Sequence, residues 1–440
     1  MSTATRPRVL MFTPQSPYPP HQGTTLRNYH LLSRLAQHAD VTLVTFVEPG
    51  QPAPMHTPLG DLCACIHACP APRRKLRERL RTLVFSSRPD LAWRLFDPGL
   101  HQAVTHLAAT NGFDVLLVEG LEMAPYLETY LAHCRRHTRP RVVMDAHNAE
   151  YVLQQRAFQA DLSHPLRWHA ALYSLMQWFK LRRYEHRILS QVDHVIAVSE
   201  VDRHNLQQLG IDVPITVVPN GVDVAYYAQE STPTVSLPPN SLVFTGKMDF
   251  RPNVDAVTWF VEHVWPRVLA EVPEAHFYIV GRSPHPRILQ YGEMPGVFVT
   301  GEVTDVRPYL WGAQVYVAPL RVGGGTRLKL LEAMAAQRAI VSTSLAAEGY
   351  PVQPGVHLLL ADTPTAFAAA VVDLLRSPAL RSRLGEAAYA FVRERYDWDT
   401  LFPRFLAAVF GPSVHEDRGP SQATPVRYPD SGPSGLRRRQ

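Results

Sequence analysis

Residues 315–335 read VYVAPLRVGGGTRLKLLEAMA, a short apolar run followed by three glycines and then by a helical pattern. The run VYVAPL predicts a buried strand, and we expect the helix to begin near Thr326. Three glycines let the backbone approach a ligand closely, and a helix start offers unpaired N–H groups to an anion. Arg327 and Lys329 add two cations in the same turn. The stretch therefore predicts a diphosphate-binding loop and helix, against the alternative of a glycine-rich turn with surface cations.

The same alternation of strand and helix extends along the whole chain. Ten apolar runs predict buried parallel strands, and they are RVLMF (8–12), VTLVTF (41–46), DVLLVE (114–119), RVVMDA (141–146), HVIAVS (194–199), LVFTG (242–246), HFYIVG (276–281), VFVTG (297–301), VYVAPL (315–320) and AIVSTS (339–344). Helical patterns between such strands are typical of an α/β protein. We expect two doubly wound, Rossmann-like domains that face each other across a cleft.

The domain boundary is expected where the periodicity is lost, in residues 220–240. This predicts an N-terminal domain of residues 1–225, joined by a C-terminal helix at about 390–410. The second domain would comprise residues 226–389. Residues 412–440 are rich in proline, serine, glycine and charge, which predicts a disordered tail.

Composition excludes several classes of protein. Hydrophobic residues make up 46% of the chain and charged residues 19%, as in globular proteins. The net charge of +5 is too small to indicate a nucleic-acid-binding protein. No apolar run is long enough for a membrane helix and no secretory segment is visible, so we expect a cytoplasmic protein. Cys63, Cys65, His67 and Cys69 crowd together, but without a zinc-type spacing, and their alternation favours a strand.

Motifs in the same order from about Arg8 to about Phe405 resemble the family 4 retaining glycosyltransferases of the GT-B fold, also called glycosyl transferases group 1. The motifs are PQSPYPPHQGTTLRNYHLLSRLA (14–36), VVPNGVD (217–223), LVFTGKMDFRPNVDAVTWF (242–260), FYIVGR (277–282), VTGEVTDVRPYLWGAQVYVAPL (299–320), GGGTRLKLLEAMA (323–335) and VSTSLAAEG (341–349). The resemblance implies transfer of a sugar from a nucleotide diphosphate sugar to a hydroxyl acceptor, either a glycan or a lipid-linked molecule. It also implies retention of anomeric configuration, an acceptor-binding N-terminal domain and a donor-binding C-terminal domain.

The resemblance gives a role to the helix after the glycine loop. Glu332 matches the second glutamate of the family's paired-glutamate motif, which binds the ribose hydroxyls of the donor. The first glutamate would stand at position 324, where this chain has Gly324. Sugar recognition must then come from the backbone of Gly323, Gly324, Gly325 and Thr326 or from another residue. This departure leaves the sugar end of the donor less well defined than the diphosphate end.

Cations and strand ends supply the other expected donor contacts. Lys247 and Arg251 follow the strand LVFTG, where cations would stabilise the leaving diphosphate together with Lys329 and Arg327. We therefore expect no catalytic metal and no cofactor beyond the nucleotide-sugar co-substrate. The neighbouring strand ends place the remaining candidates in the ligand crevice, and these are Arg282, Gly301 and Val303.

Two residues of the N-terminal domain enter the prediction. His147 follows the strand RVVMDA and resembles the histidine that lies close to the reacting sugar in this family. A satisfied core histidine is the alternative, since the chain has 20 histidines. Gly23, in the first loop between strand and helix, would let acceptor and diphosphate approach the backbone. Asp397 and Asp399, which flank a tryptophan, are interpreted as helix-capping residues and not as metal ligands.

Residues 73–81 and 168–184 combine basic with apolar or aromatic side chains at helical spacing. Either segment could lie on the inner membrane face, as in peripheral glycosyltransferases with lipid-linked acceptors. The alternative is a solvated basic face and a core-packed helix. Two other functions stay open, a GT-B sugar-nucleotide epimerase and a non-catalytic GT-B partner subunit.

Overall fold

Two sheets of parallel strands organise the computed structural model, which describes residues 6–411 apart from 21–22, 111, 136–138, 163–167, 229–234 and 324–325. The chain divides into two units. The first contains the described residues up to Pro219 and those from Leu401 onward, and the second contains Asn220–Thr400.

The first unit is built on seven strands, which are β1 (Arg8–Thr13), β2 (Asp40–Val47), β3 (Cys65–Pro70), β4 (Val115–Glu119), β5 (Arg141–Ala146), β6 (His194–Ala197) and β7 (Ile215–Val217). They pair in parallel in the order β3-β2-β1-β4-β5-β6-β7. The central strands are almost wholly apolar and buried, because both faces of a parallel sheet are covered by helices.

The helices of this unit are α1 (Gly23–Leu35), α2 (Leu59–Leu62), α3 (Leu76–Phe85), α4 (Asp90–Arg94), α5 (Pro98–Thr110), α6 (Ala124–His133), α7 (Glu150–Leu162), α8 (Trp168–Leu189) and α9 (Glu200–Gln207). The alternating CIHACP segment forms the edge strand β3, but Leu59–Leu62 before it is helical. The strand β7 was absent from the predicted set, because three residues are too few to show a periodicity.

The second unit repeats this plan with six strands, which are β8 (Ser241–Thr245), β9 (His276–Val280), β10 (Val297–Gly301), β11 (Val315–Ala318), β12 (Ala339–Ser342) and β13 (Leu359–Leu360). They pair in parallel in the order β10-β9-β8-β11-β12-β13. The helices are α10 (Val224–Ala228), α11 (Arg251–Trp259), α12 (Trp265–Glu271), α13 (Pro286–Tyr291), α14 (Arg307–Gly312), α15 (Leu328–Ala335), α16 (Pro364–Arg376) and α17 (Pro378–Arg395), with a π-helical turn (Phe260–Val264) between α11 and α12. The prediction of an α/β chain with two doubly wound parallel sheets is confirmed.

The last helix, α18 (Trp398–Phe410), begins in the second unit and continues in the first. Its end is bound to β5, because the Arg141 guanidinium donates to the carbonyl oxygens of Ala408 and Val409 at 3.2 and 3.1 Å. At its start the Asp397 carboxylate accepts the Asp399 N–H at 3.5 Å, a long contact for a cap. No described helix is both long and apolar enough to cross a lipid bilayer.

The strand order of each sheet reverses at one point. In the first sheet the chain moves outward on one side from β1 and returns on the other side at β4. In the second sheet the same reversal separates β8 from β11. Loops diverge at the carboxyl ends of the strands on either side of such a point and leave a crevice where ligands bind. Each sheet therefore has one such crevice, and a ligand-binding site is expected there.

Candidate functional site

Three glycines stand at the carboxyl ends of neighbouring strands in the second unit. Gly246 and Gly281 follow β8 and β9, Gly301 ends β10, and their φ angles are +153°, +152° and +71°. The Gly246 N–H donates to Val280 O at 3.0 Å and the Gly281 N–H donates to Gly301 O at 3.1 Å. A Cβ atom on Gly281 would lie 1.7 Å from Gly246 O. At this glycine edge the main chains of neighbouring strand ends therefore pack more closely than larger residues would allow.

Lys329 on α15 points toward the end of β8. Its ammonium group donates to Thr245 O at 2.9 Å and to Asn253 Oδ1 at 2.8 Å. Burial lowers the pKa of Lys329 to about 7; Glu332 opposes that shift and Arg327 adds to it. The sequence predicts a cation in this turn, and the structure shows it hydrogen-bonded to the main chain at the end of β8.

A hydrogen bond within the loop before α15 joins a guanidinium group to the main chain. Arg327 donates to Gly323 O at 2.9 Å, and burial lowers the pKa of Arg327. Gly323 has a φ of +110°, as a tight turn requires. The expected contacts of Gly324 and Gly325 lie outside the described residues. The helix begins at Leu328 and not near Thr326, because the backbone of Arg327 (φ −96°, ψ 88°) is not helical.

The other cations predicted at the donor site differ in their contacts and in their exposure to solvent. Lys247 lies just beyond β8, with its ammonium nitrogen 3.3 Å from Asp249 Oδ2 and half of its side chain exposed. The Met248 N–H donates to Arg282 O at 2.9 Å, which joins the loops after β8 and β9 and brings Lys247 and Arg282 to the same edge. Arg251 opens α11 and is exposed to solvent. Val303 is partly buried beyond Gly301 and packs on the core of this unit.

Glu332 is a partly buried carboxyl group of α15. Burial raises the pKa of Glu332, while the charge of Lys329 and a hydrogen bond from Tyr227 oppose that shift. Tyr227 belongs to α10, so this carboxyl group faces another helix of its own unit. The arrangement differs from that of a surface glutamate and allows the group to accept hydrogen bonds from a ligand's hydroxyls.

His147 follows β5 in the first unit, beside the end of β4. Its Nε2 atom lies 3.4 Å from Oε2 of Glu119, whose side chain is completely buried. Neither carboxylate oxygen of Glu119 has a hydrogen-bond partner among the residues that the structure describes. Burial raises the pKa of Glu119 to about 7, and the negative charge of Asp145 adds to the shift. Burial lowers the pKa of His147, but the pull of Glu119 and Asp145 outweighs it and the net shift is upward.

Asp145 is held separately by an arginine. The Arg27 guanidinium donates Nε–H to Oδ2 of Asp145 at 2.9 Å and Nη2–H to Oδ1 at 3.1 Å, and both side chains are fully buried. Ligand atoms of Glu119, Asp145 and His147 lie within 4.8 Å of one another, a spacing that could hold a metal ion. However, Arg27 already occupies both oxygens of Asp145 and puts a positive charge there. This cluster therefore suits a shared proton better than a cation.

A cavity of about 100 Å³ opens beside this cluster, near the strand-order reversal of the first sheet. His147, Asn148, Glu150 and Glu185 contribute to its wall. Burial raises the pKa of Glu150 to about 7 and that of Glu185 to about 8. Protonated carboxyl groups can both donate and accept, so the wall suits hydroxyl groups. Gly23, at the start of α1, is exposed.

Sequence reasoning missed five residues that organise these two edges. Glu119 and Asp145 end the strands DVLLVE and RVVMDA, and a carboxylate within an otherwise apolar run is a readable signal. Gly246 and Gly281 are the last residues of LVFTG and HFYIVG, and a glycine at the end of an apolar run is also visible in the sequence. Arg27 had no such signal, because its partner Asp145 is 118 positions away and nothing in the sequence of α1 shows that this helix is buried almost all round.

Solved structures share this architecture. Sucrose-phosphate synthase from Thermosynechococcus elongatus is 16% identical with a TM-score of 0.64, over 91% of this chain and 97% of that one. HepE of Anabaena in complex with UDP-glucose is 13% identical with a TM-score of 0.59, over 91% of this chain and 98% of that one. At these identities the likeness shows the fold alone. Two doubly wound units of this kind define a GT-B glycosyltransferase fold.

Two models of glycosyltransferase families match the sequence of this chain. The model described as Glycosyltransferase Family 4 matches residues 21–226, and the model described as Glycosyl transferases group 1 matches residues 239–377. The chain belongs to these family 4, group 1 glycosyltransferases.

Two mycobacterial proteins are among the relatives. The phosphatidyl-myo-inositol mannosyltransferase of Mycolicibacterium smegmatis is 32% identical over 237 residues, which are 51% of this chain and 58% of that protein. Its namesake in Mycobacterium tuberculosis is 31% identical over 226 residues, 48% of this chain and 57% of that protein. The chain thus spans less than two thirds of the length of these relatives.

Proposed function

We propose that this chain transfers a sugar from a nucleoside diphosphate sugar to a hydroxyl group of an acceptor. The observation that carries the proposal is the glycine edge of the second sheet, which extends from β8, beside the strand-order reversal, to β10 and meets the anchored cation Lys329. Close backbone approach and cations together suit a diphosphate. Membership of the glycosyltransferase family supplies the reaction class.

The donor is proposed to bind the second unit. Its diphosphate would meet the glycine edge together with Lys247 and Lys329, and the carboxyl group of Glu332 would accept from its ribose hydroxyls. HepE has been solved with UDP and with UDP-glucose, and the mycobacterial relatives are named mannosyltransferases. These names support a nucleoside diphosphate hexose as the donor class.

The proposed reaction breaks the bond between the anomeric carbon and the diphosphate oxygen. The anomeric carbon then bonds to the acceptor oxygen, whose proton passes to the solvent or to the diphosphate. Negative charge grows on the leaving group, so fixed cations that lie close to it lower the barrier. Lys329 is the proposed fixed cation, and the more exposed Lys247 is proposed to move toward the diphosphate when the donor binds. Retention of configuration and independence of a metal are proposed from the family resemblance.

His147 is the proposed catalytic residue of the first unit. Its imidazole is kept more basic than an ordinary histidine by Glu119 and Asp145, so near neutral pH it carries a larger share of the positive charge. The Glu119 carboxylate lies 3.4 Å from the imidazole Nε2 and raises the pKa of His147, so Glu119 acts through His147 and is a positioning residue. A histidine held in this way can orient and stabilise polar groups of the reacting sugar.

The acceptor is proposed to be a glycan or a lipid-linked molecule, with the first unit as its binding domain. The hydroxyl-compatible cavity beside His147 supports an acceptor rich in hydroxyl groups. The relatives named after phosphatidylinositol support the lipid-linked alternative and, with it, peripheral contact with a membrane.

A screen of nucleoside diphosphate sugars by thermal shift tests the donor, because a ligand that binds only the native state raises the unfolding midpoint. We expect stabilisation by UDP or GDP and by one matching sugar, followed by release of the diphosphate when a hydroxyl acceptor is added. Stabilisation without turnover for any acceptor would favour a non-catalytic subunit. Conversion of the donor sugar without an acceptor would favour an epimerase, and absence of any stabilisation would refute the donor site.

A further inference from the structure

One face of α8 exposes a row of large apolar side chains. Trp168, Leu172, Met176 and Phe179 are 69%, 51%, 38% and 52% exposed. Their spacing of four, four and three residues puts them on one side of the helix. A monomeric soluble surface seldom carries such a contiguous row, and rows of this kind mark interaction sites.

The exposed charged residues of the same helix are basic. The exposed side continues from Phe179 into Arg182 and Arg183, which are exposed as well. The acidic residue of α8, Glu185, is buried, and its carboxyl group accepts the N–H groups of Glu150 and Tyr151 at 3.1 and 3.0 Å. The outer surface of α8 is therefore apolar at its start and basic toward its end.

The basic helix α3 lies beside this row. The Lys180 ammonium of α8 donates to Leu83 O at 2.6 Å and to Ser86 O at 2.8 Å, on either side of Phe85. Phe85 is 84% exposed. This contact holds the end of α3, which carries the exposed Phe85 ring, against α8.

The exposed charges of α3 are mostly positive, like those of α8. Arg77, Arg79 and Arg81 are exposed. The single acid of this helix, Glu78, is exposed as well, and its carboxylate accepts the Lys75 N–H at 3.1 Å. Cations therefore accompany the apolar side chains on both helices.

We propose that this surface docks on an anionic lipid bilayer. The α3–α8 face, as we call Phe85, Trp168, Leu172, Met176 and Phe179, would enter the headgroup region while the arginines contact lipid phosphates. Exposed aromatic rings beside an excess of exposed cations are complementary to a negatively charged membrane surface. The proposal deepens the proposed function by locating where a lipid-linked acceptor is met, and its test measures binding without turnover, so that each can fail separately.

Vesicle co-sedimentation of the full chain tests the proposal. We expect retention on phosphatidylcholine vesicles that contain phosphatidylglycerol, and much weaker retention on phosphatidylcholine alone. Added salt should weaken the retention, because screening acts on the contribution of the arginines. Equal retention on both vesicles, or none on either, would overturn the proposal.

Matched variants show which surface binds. Replacing Trp168 and Phe179 by serine should weaken vesicle binding about tenfold or more, since two large apolar side chains no longer leave water. Leu172→Ser should weaken it less. Its control is Leu289→Ser, because Leu289 is 53% exposed but lies in the second unit, and that variant should bind like the parent.

The charges are tested in the same way. Arg182→Gln with Arg183→Gln should reduce retention on anionic vesicles, whereas Arg383→Gln, on α17 of the second unit, should not. All these side chains are exposed, so unchanged circular dichroism is expected and is checked first. Unchanged binding of the α3–α8 variants would refute the surface. If vesicles are not bound and Trp168→Ser instead abolishes self-association of the chain, a second copy covers the face and the lipid proposal is wrong.

Discussion

The two sheets carry opposite chemistry, and they carry it on opposite sides of their strand-order reversals. In the second sheet, glycines at the ends of β8, β9 and β10 present main-chain groups beside the positive charge of Lys329. In the first sheet, Glu119, Asp145 and His147 at the ends of β4 and β5 bring buried carboxyl groups next to an imidazole. The shared topology explains why each site lies where it does, and the side chains at the strand ends decide what it can bind.

The comparison extends to how charges are held. Arg27 and Asp145 are withdrawn from solvent completely and satisfy each other in a two-pronged hydrogen-bonded pair. Lys247 and Asp249 stand 3.3 Å apart with about half of each side chain exposed. The first arrangement is rigid and part of the core, whereas the second can rearrange when a ligand arrives. A group that must meet a charged substrate gains from such freedom.

The largest expected effect comes from breaking the buried pair. Arg27→Met would leave Asp145 as an uncompensated buried charge and should lower the stability of the first unit by about 3–5 kcal/mol. Arg139→Met is the control, because Arg139 pairs with Asp193 at 3.0 Å with 45% and 32% of the side chains exposed. That change should alter stability by about 0–1 kcal/mol. Urea unfolding followed by fluorescence compares the two midpoints, and equal shifts would contradict the role given to the buried pair.

The next effect concerns the glycine edge. In Gly281→Ala, the new Cβ atom would lie 1.7 Å from Gly246 O, at a φ of +152°. Overpacking should cost the second unit about 1–3 kcal/mol, besides the strain at that φ, and the displaced backbone should weaken nucleotide binding. The control is Gly355→Ala, with a φ of +78° and open space around the new atom, so only the strain at φ remains. If both variants melt together and bind UDP alike, close backbone contact is not essential.

Most strands of both sheets can be predicted from the sequence, whereas the start of α15 and the contacts between distant side chains cannot. Apolar runs identify both sheets, because strands buried on both faces must be apolar. The start of α15 was misplaced by two residues, since the φ and ψ of Arg327 depend on a turn that glycine permits but does not specify. The inward direction of Lys329 was missed because its partner Asn253 stands 76 positions away in sequence. Contacts between distant segments, such as Arg27 with Asp145, leave no local pattern to read.

A moderate effect is expected at Lys329 and should depend on pH. With a pKa of about 7, this ammonium group is charged below that pH and loses its proton above it. Affinity for UDP should therefore fall as the pH rises from about 6 to 8, by up to about tenfold, or ~1.4 kcal/mol, the limit for the loss of one proton over this range. Lys329→Met should bind UDP weakly at every pH in this range and so lose the steep part of the dependence. Titration calorimetry measures it, and Lys247→Met, which keeps Lys329, should retain the slope; a steep slope that survives Lys329→Met would assign it to another group.

The smallest effect tests the pairing of Glu119 with His147. Glu119→Gln removes a negative charge that raises the pKa of His147, while burial and Arg27 still lower it, so this pKa should fall. In the parent, the folded-state pKa lies above the ordinary value of 6.5. Protonation of His147 therefore stabilises the fold fully below that value, and the contribution is lost as the pH rises through the folded-state pKa. The variant should lose this part of the pH dependence of stability.

NMR titration of the His147 ring measures that pKa without any substrate, and the control is Glu122→Gln. Glu122 lines the same cavity, but it is not among the groups that shift the pKa of His147 most. An unchanged pKa in Glu119→Gln would mean that the carboxyl group is already neutral and does not hold the imidazole charged. A lowered pKa together with a fall in kcat at constant KM would instead show that Glu119 acts on catalysis through His147, because a purely structural role would not move the titration and the turnover together.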